Sequence, residues 1–294
     1  MSYFGGAPGV SYSADWWAKV YALFETSFPG LPAGVERAAA VGVPWPSVTT
    51  PFVWFEGEEA VSHVGVLMQP MRLNGEDHLV AGIHAVCTRP SHRGRGLARR
   101  LLAEACAFAD AHTPLSELST DDPPIYTGHG FRVTPTYRFV ASRAAPAAGE
   151  VRPLRPASVS ADLRLLQDLL RRRAPASSRW GTREPGWLVL TDAALSRRLD
   201  AVFVHLPQHD AVIAWEAVGE DQHILDVIAA QLPPKEAVLG ALPPARGRVL
   251  WSFCPDLLDP EALPEALPAT SGAFMTRGPW PKLDPFGVSP LWEH

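Results

Sequence analysis

The stretch Gly82-Ile83-His84-Ala85-Val86-Cys87, Thr88-Arg89-Pro90-Ser91-His92, Arg93-Gly94-Arg95-Gly96-Leu97-Ala98 decides how this 294-residue chain is read. Its first part is a strand of small and apolar residues, and Pro90 marks a turn. From Gly96 onward Leu97, Leu101, Leu102, Ala105, Phe108 and Ala109 recur on one face of a helix over 96–112. A strand that turns tightly into a helix brings backbone N–H groups and the positive end of a helix dipole to one point. Glycine at 94 and 96 lets the backbone come close to an anion. Arg89, His92, Arg93, Arg95, Arg99 and Arg100 form a basic cluster in a chain of net charge −5. Together these features read as a pyrophosphate cradle; a solvated helix face is the alternative for the charge run alone. A P-loop is excluded by the missing Gly-Lys-Ser/Thr ending. The dinucleotide fingerprint Gly-x-Gly-x-x-Gly fails at Arg99.

Working outward, helices are expected over 14–26 and 33–41, and strands over 51–56, 60–71 and 78–88. Asn74-Gly75 supplies a hairpin between the last two strands. After the long helix come a strand over 115–120, a short helix over 123–129 and a strand over 131–141. This is a mixed α/β (α+β) layer: a mostly antiparallel sheet flanked by helices. An Ala- and Pro-rich linker follows, dividing the chain into domains at 1–145 and 151–294. The second half predicts a helix over 161–173, strands over 201–206, 210–219 and 222–229, and a helix over 234–242. A strand over 248–253, a helix over 260–267 and a strand over 272–277 complete it. The element order repeats that of the first half, as an internal duplication would. Its turn after 222–229 reads Ala230-Gln231-Leu232-Pro233-Pro234, where prolines replace N–H donors, so no second cradle is expected. Such a half would shape the acceptor pocket or a dimer surface. Trp180, Trp187, Trp215 and Trp251 are candidates to line the pocket, with core packing the stronger reading for most.

Arg93, Gly96 and Ala98 match the Gln/Arg-x-x-Gly-x-Gly/Ala signature, preceded by Val86-x-x-x-Pro90. Downstream, Ile125-Tyr126-Thr127-Gly128-His129-Gly130-Phe131 resembles a Tyr-x-x-x-Gly-Phe stretch. On these motifs residues 12–142 resemble the GNAT superfamily of N-acetyltransferases, and the whole chain resembles a tandem of two GNAT-like domains with a degenerate second one. The resemblance implies an acetyl-CoA co-substrate and transfer of its acetyl group to an amine, and direct attack is expected because the sequence shows no activated nucleophile. Backbone groups of Ala85, Val86 and Cys87 would hold the pantetheine arm. Those of Arg93, Gly94, Arg95, Gly96, Leu97 and Ala98 would hold the pyrophosphate, with Arg99 or Arg100 at the 3′-phosphate.

The resemblance also makes Tyr126 the acid that protonates the leaving thiolate; packing beneath the cofactor is its other reading. For the base, Glu117 is a candidate against the reading of a strand-edge surface carboxylate, and Glu56, Asp77 and His84 are weaker ones. Tandem acetyltransferases of the mycobacterial enhanced-survival type place the terminal carboxylate in the first domain's site. That makes His294 a catalytic candidate, against a tail that merely closes the second domain's sheet. Cys87 and Cys106 read as small apolar residues. The alternative function is a non-catalytic acyl-CoA-binding sensor or scaffold.

Composition bounds the rest. Hydrophobic residues make up 47% and charged residues 19%, as in a globular chain with a large core. Net negative charge argues against nucleic acid as a partner. No apolar run is long enough to span a bilayer, and no secretion leader is legible. Three cysteines without a CxxC pair make neither a disulfide framework nor a zinc site, so no metal is expected. Thirty prolines fit a GC-rich bacterial source. A cytoplasmic enzyme, with a homodimer open, is the expectation.

Overall fold

A computed structural model describes residues 2–4, 11–142, 150–183, 186–244, 246–268, 272–283 and 285–292. The first half runs β1 (Ser2–Phe4), α1 (Ala14–Ser27), α2 (Leu31–Ala40), β2 (Thr50–Glu56), β3 (Glu59–Leu73), β4 (Glu76–Thr88) and α3 (Leu97–Asp110). Then come β5 (Ser116–Thr120), α4 (Pro124–Thr127), β6 (Arg132–Val133) and β7 (Tyr137–Val140). The second half begins with β8 (Arg152–Pro153), α5 (Ser160–Arg172), β9 (Trp180–Thr182), α6 (Trp187–Leu195), β10 (Phe203–Leu206) and β11 (Ala211–Val218). It ends with β12 (Asp221–Ala229), α7 (Lys235–Gly240), β13 (Val249–Trp251), β14 (Leu263–Ala266) and β15 (Ala273–Arg277).

Two mixed, mostly antiparallel sheets result, each flanked by helices. One is ordered β1-β2-β3-β4-β5-β15-β6, with β9 joining the far end of β3; the other is β14-β7-β13-β12-β11-β10-β8. Each contains one parallel pair, β4–β5 in the first and β12–β13 in the second. The long hairpin β3–β4 turns at Asn74 and Gly75, both at positive φ, as Asn-Gly demands.

The halves trade strands. The strand expected over 131–141 is broken by Pro135, which cannot donate to a ladder. Its first piece, β6, stays in the first sheet, while β7 lies between β13 and β14 of the second. In return β15, expected to close the second half, slots between β5 and β6 of the first sheet. There Met275 is fully buried among the residues under α3. The expected boundary at 145–151 therefore divides the chain but not the sheets. The helix expected over 260–267 is instead the edge strand β14. Pro260, Pro264 and Pro268 recur every fourth residue and delete helical N–H donors, whereas an edge strand tolerates Pro264.

Docking of α6 on α2 ties the halves together above the first sheet. A Cβ on Gly34 would lie 2.6 Å from Leu195 Cδ2 and 3.2 Å from its Cα, so glycine permits a close approach that a larger residue would crowd. Arg37 of α2 donates to the carbonyls of Ala194 and Leu195 at 2.8 and 3.1 Å, capping the end of α6.

Candidate active site

Strands β4 and β5 pair only at Ala81–Ser116 and Gly82–Glu117, then splay. Ala85, at φ +49°, bulges β4 just past the split. Its carbonyl is held by the His63 imidazole at 2.8 Å, and the Cys87 carbonyl accepts from the Ser62 hydroxyl at 3.0 Å. Both therefore face β3, and alternation turns the backbone of Val86 toward the edge that β5 leaves bare. Burial drives the His63 pKa down to about 4, so this ring is a neutral strut.

The turn beyond β4 has the expected form. Gly94 and Gly96 lie at φ +76° and +74°, and α3 starts at Gly96 with no side chain capping its first N–H groups. A Cβ on Gly94 would meet nothing within 4 Å, so the space above the turn is open. Val86, Cys87 and the run Arg93–Ala98 share one groove of about 800 Å³, together with Arg99. Among the described residues neither Arg93 nor Arg99 has a carboxylate partner. Arg95 lies 2.5 Å from Glu56, which His92 also contacts at 2.9 Å. Arg100 leaves the groove, its guanidinium 5.9 Å from the centre of the Trp54 ring.

A second cavity of about 390 Å³ opens in the split between β4 and β5 and adjoins the groove through the shared residues Phe28 and Val86. Ala85, His84, Ser119 and Tyr126 are on its wall. Tyr126 is buried; burial is the main reason its pKa is raised, so it stays protonated at neutral pH. His84 Nε2 lies 2.7 Å from the Thr49 hydroxyl.

Glu117 is neither at a strand edge nor exposed. It is 2% accessible on β5, between β4 and the exchanged β15, and accepts from Gln69 Nε2 at 2.6 Å. It lies outside the cavity lining. Glu56 and Asp77 are engaged on the surface, Asp77 by Arg72 and Arg183. His294 lies outside the described residues. The tail before it is packed: Leu291 and Trp292 are buried in the second half's core, away from the cavity. Burial pushes the Cys87 and Cys106 thiols up to about 12 and 11, which leaves no thiolate nucleophile there.

The second half supplies one wall through α6: Trp187, Leu188, Thr191, Asp192 and Leu195. Only Trp187 carried a sequence signal, as a large aromatic without a partner pattern. Trp180 and Trp251 are fully buried core residues. Asp192 is held by Arg198 at 2.7 Å, and Arg198 also reaches Glu216 at 2.8 Å. Burial raises the Asp192 pKa despite the guanidinium.

Residues 11–134 match the acetyltransferase (GNAT) domain family. No curated protein matches the sequence. Among solved structures the chain is similar to a probable N-acyltransferase of Enterococcus faecalis V583, with 17% identity and a TM-score of 0.59 over 91% of this chain and 71% of that one. Eis1 from Mycobacterium abscessus is similar at 16% identity and a TM-score of 0.58, over 91% and 72%. A GCN5-related N-acetyltransferase from Kribbella flavida shares 18% identity at a TM-score of 0.54, over 92% and 70%. At such identities the likeness is one of fold, and it extends over both halves.

Proposed function

From the match of residues 11–134 to the acetyltransferase (GNAT) domain family, we propose that the chain binds acetyl coenzyme A in the arginine-lined groove and acetylates an amine in the adjoining cavity. The observation that carries this reading is the junction at Phe28 and Val86. A phosphate-type groove and an acceptor-sized cavity meet there, beside a buried, protonated tyrosine.

The open turn over Gly94 and the uncapped start of α3 suit a pyrophosphate, with Arg93 and Arg99 adding charge. Val86, on the bare edge of β4, is the backbone partner for the amide-bearing arm. Arg99 rather than Arg100 serves the remaining phosphate, since Arg100 lies over Trp54.

Acetyl coenzyme A supplies the acyl group as a thioester. The amine nitrogen forms the C–N bond to the acyl carbon and the C–S bond breaks. Tyr126 donates its hydroxyl proton to the departing sulfur. The amine's proton passes to a base on the wall, where His84 and Asp121 are the lining groups able to take it, Asp192 being paired with Arg198. A direct role for Glu117 is disfavoured by its enclosure beneath Gln69.

The test pairs calorimetry with thiol release. Coenzyme A should bind both the wild type and Tyr126→Phe with the same affinity, while kcat for the variant falls roughly 10²–10⁴-fold. Failure of the wild type to bind coenzyme A would sink the proposal.

A further inference from the structure

The two joined cavities carry opposite charge. Arg93, Arg95 and Arg99 line the groove, whereas among the described residues no lysine or arginine lines the adjoining cavity. Its charged wall residues are two carboxylates, Asp121 and Asp192. Asp192 is backed by Arg198, but Arg198 also pairs with Glu216, so that cluster of three sums to one negative charge. Between the carboxylates the wall is apolar and broad, formed by Phe28, Leu31, Trp45 and Leu67 of the first half and Trp187 and Leu195 of the second.

A site of this kind selects by what it repels as well as by what it holds. An ammonium is drawn to the carboxylates. A carboxylate on the ligand would meet Asp121 and the net negative charge of the Asp192–Arg198–Glu216 cluster, with no lysine or arginine among the described lining residues to pair with it. A strongly hydrated, many-hydroxyl ligand would lose water against aromatic and aliphatic walls that return few hydrogen bonds. At about 390 Å³ the cavity matches a single ring with a short side arm, at the small end of ligand sites.

Building on the acetyltransferase reading, we infer that the acceptor is a monoamine with an aromatic or bulky apolar body and no carboxylate. Asp192, delivered by a helix of the second half, is its specificity-determining anchor. The second half is then part of the acceptor site, although it has no cofactor cradle of its own. This also explains why α6 must sit so closely on α2, since moving it away would open the apolar wall and withdraw the anchor.

The experiment measures thiol release from acetyl coenzyme A with matched pairs: phenethylamine against phenylalanine and tryptamine against tryptophan, with ethanolamine as the hydrophilic amine. Coenzyme A calorimetry on the same preparations reports on the reading beneath. The amine of each pair should exceed its amino acid at least tenfold in kcat/KM, and should exceed ethanolamine similarly. Asp192→Asn should raise KM for tryptamine about tenfold with kcat little changed and coenzyme A affinity intact. It should also narrow the gap between tryptamine and tryptophan, which a merely structural residue would not do. Trp187→Ala is the second variant, expected to raise KM for tryptamine several-fold and leave KM for ethanolamine unmoved. Equal turnover of amine and amino acid, preference for ethanolamine, or an unchanged gap in Asp192→Asn overturns the inference while leaving the acetyltransferase reading intact. No turnover of any pair despite coenzyme A binding overturns it as well. Loss of coenzyme A binding by the wild type overturns both together.

Discussion

The two halves each split a sheet between a parallel pair of strands, and they use the split in opposite ways. In the first, β4 and β5 part beyond Gly82–Glu117, and the gap is a cavity bordered by His84 and Tyr126. In the second, β12 and β13 pair as far as Ile224–Trp251, and the residue two beyond Ile224 is Asp226. Asp226 accepts from Arg173 at 2.7 Å and from the Trp292 indole at 3.0 Å, with the Trp292 ring 5.5 Å from that of Phe253. The tail thus plugs the second split. The turns that follow differ in the same sense. The first offers two positive-φ glycines and the free start of a 14-residue helix; the second offers Pro233 and Pro234 before a helix of 6. One architecture serves once as a site and once as a support, and what separates them is whether backbone donors and space are left open.

The contrast can be broken most forcefully at the plug. Trp292→Ala should lower stability by about 3–5 kcal/mol in denaturant melts, the usual loss for emptying a large aromatic site. It should create no coenzyme A site in the second split, because the prolines there still withhold donors; a second binding event in calorimetry would refute this account of the difference. Next in size is the cradle. Gly96→Val forces a β-branched residue to φ +74°, a strain of about 1–3 kcal/mol. Coenzyme A should then bind roughly 10–100-fold more weakly, while Pro233→Ala, at the matching corner, leaves binding unchanged. The smallest effect belongs to Arg99→Ala. A few-fold loss of coenzyme A affinity that fades as salt rises would sharpen the assignment of Arg99 to a phosphate. Equal sensitivity of Arg100→Ala would undo it.

Much of the first half is legible in residue order because its signals are local. Asn74-Gly75 specifies a hairpin, the stripe from Leu97 to Ala109 specifies a buried helix face, and Gly94 and Gly96 specify a backbone that only glycine enters easily. The errors arose where a segment's partner, rather than its own conformation, was in question. β15 was legible as a strand, but nothing in Ala273–Arg277 says that it pairs with Ser116–Thr120 across more than 150 residues. Pro135 marked a break without telling that the two pieces serve different sheets. The helix expected over 260–267 took no account of the prolines at 260, 264 and 268, whose missing donors suit the edge position of β14. Glu117 was a base candidate whose other reading, a strand-edge surface carboxylate, fails: a five-residue strand hides which side its neighbours cover, and an inserted strand on one flank and Gln69 beneath enclose it.

For the candidate site the division is similar. By itself the sequence determined the local geometry of the proposed cradle, since a strand, a proline turn, two glycines and an amphipathic helix form one continuous piece whose shape follows from backbone sterics and helix electrostatics. It also singled out Tyr126 by its place in a short motif. Only the tertiary structure decided that Arg99 faces the groove and Arg100 does not, that Cys87 is sealed, and that Asp192 reaches the cavity. The cavity wall from the second half depends on α6 meeting α2 across a contact that Gly34 permits and Arg37 locks. Such a contact joins residues more than 150 positions apart, and packing between distant surfaces leaves no periodic trace along the chain. Backbone-made sites can be read locally; sites made by side chains from two halves exist only once the halves have packed.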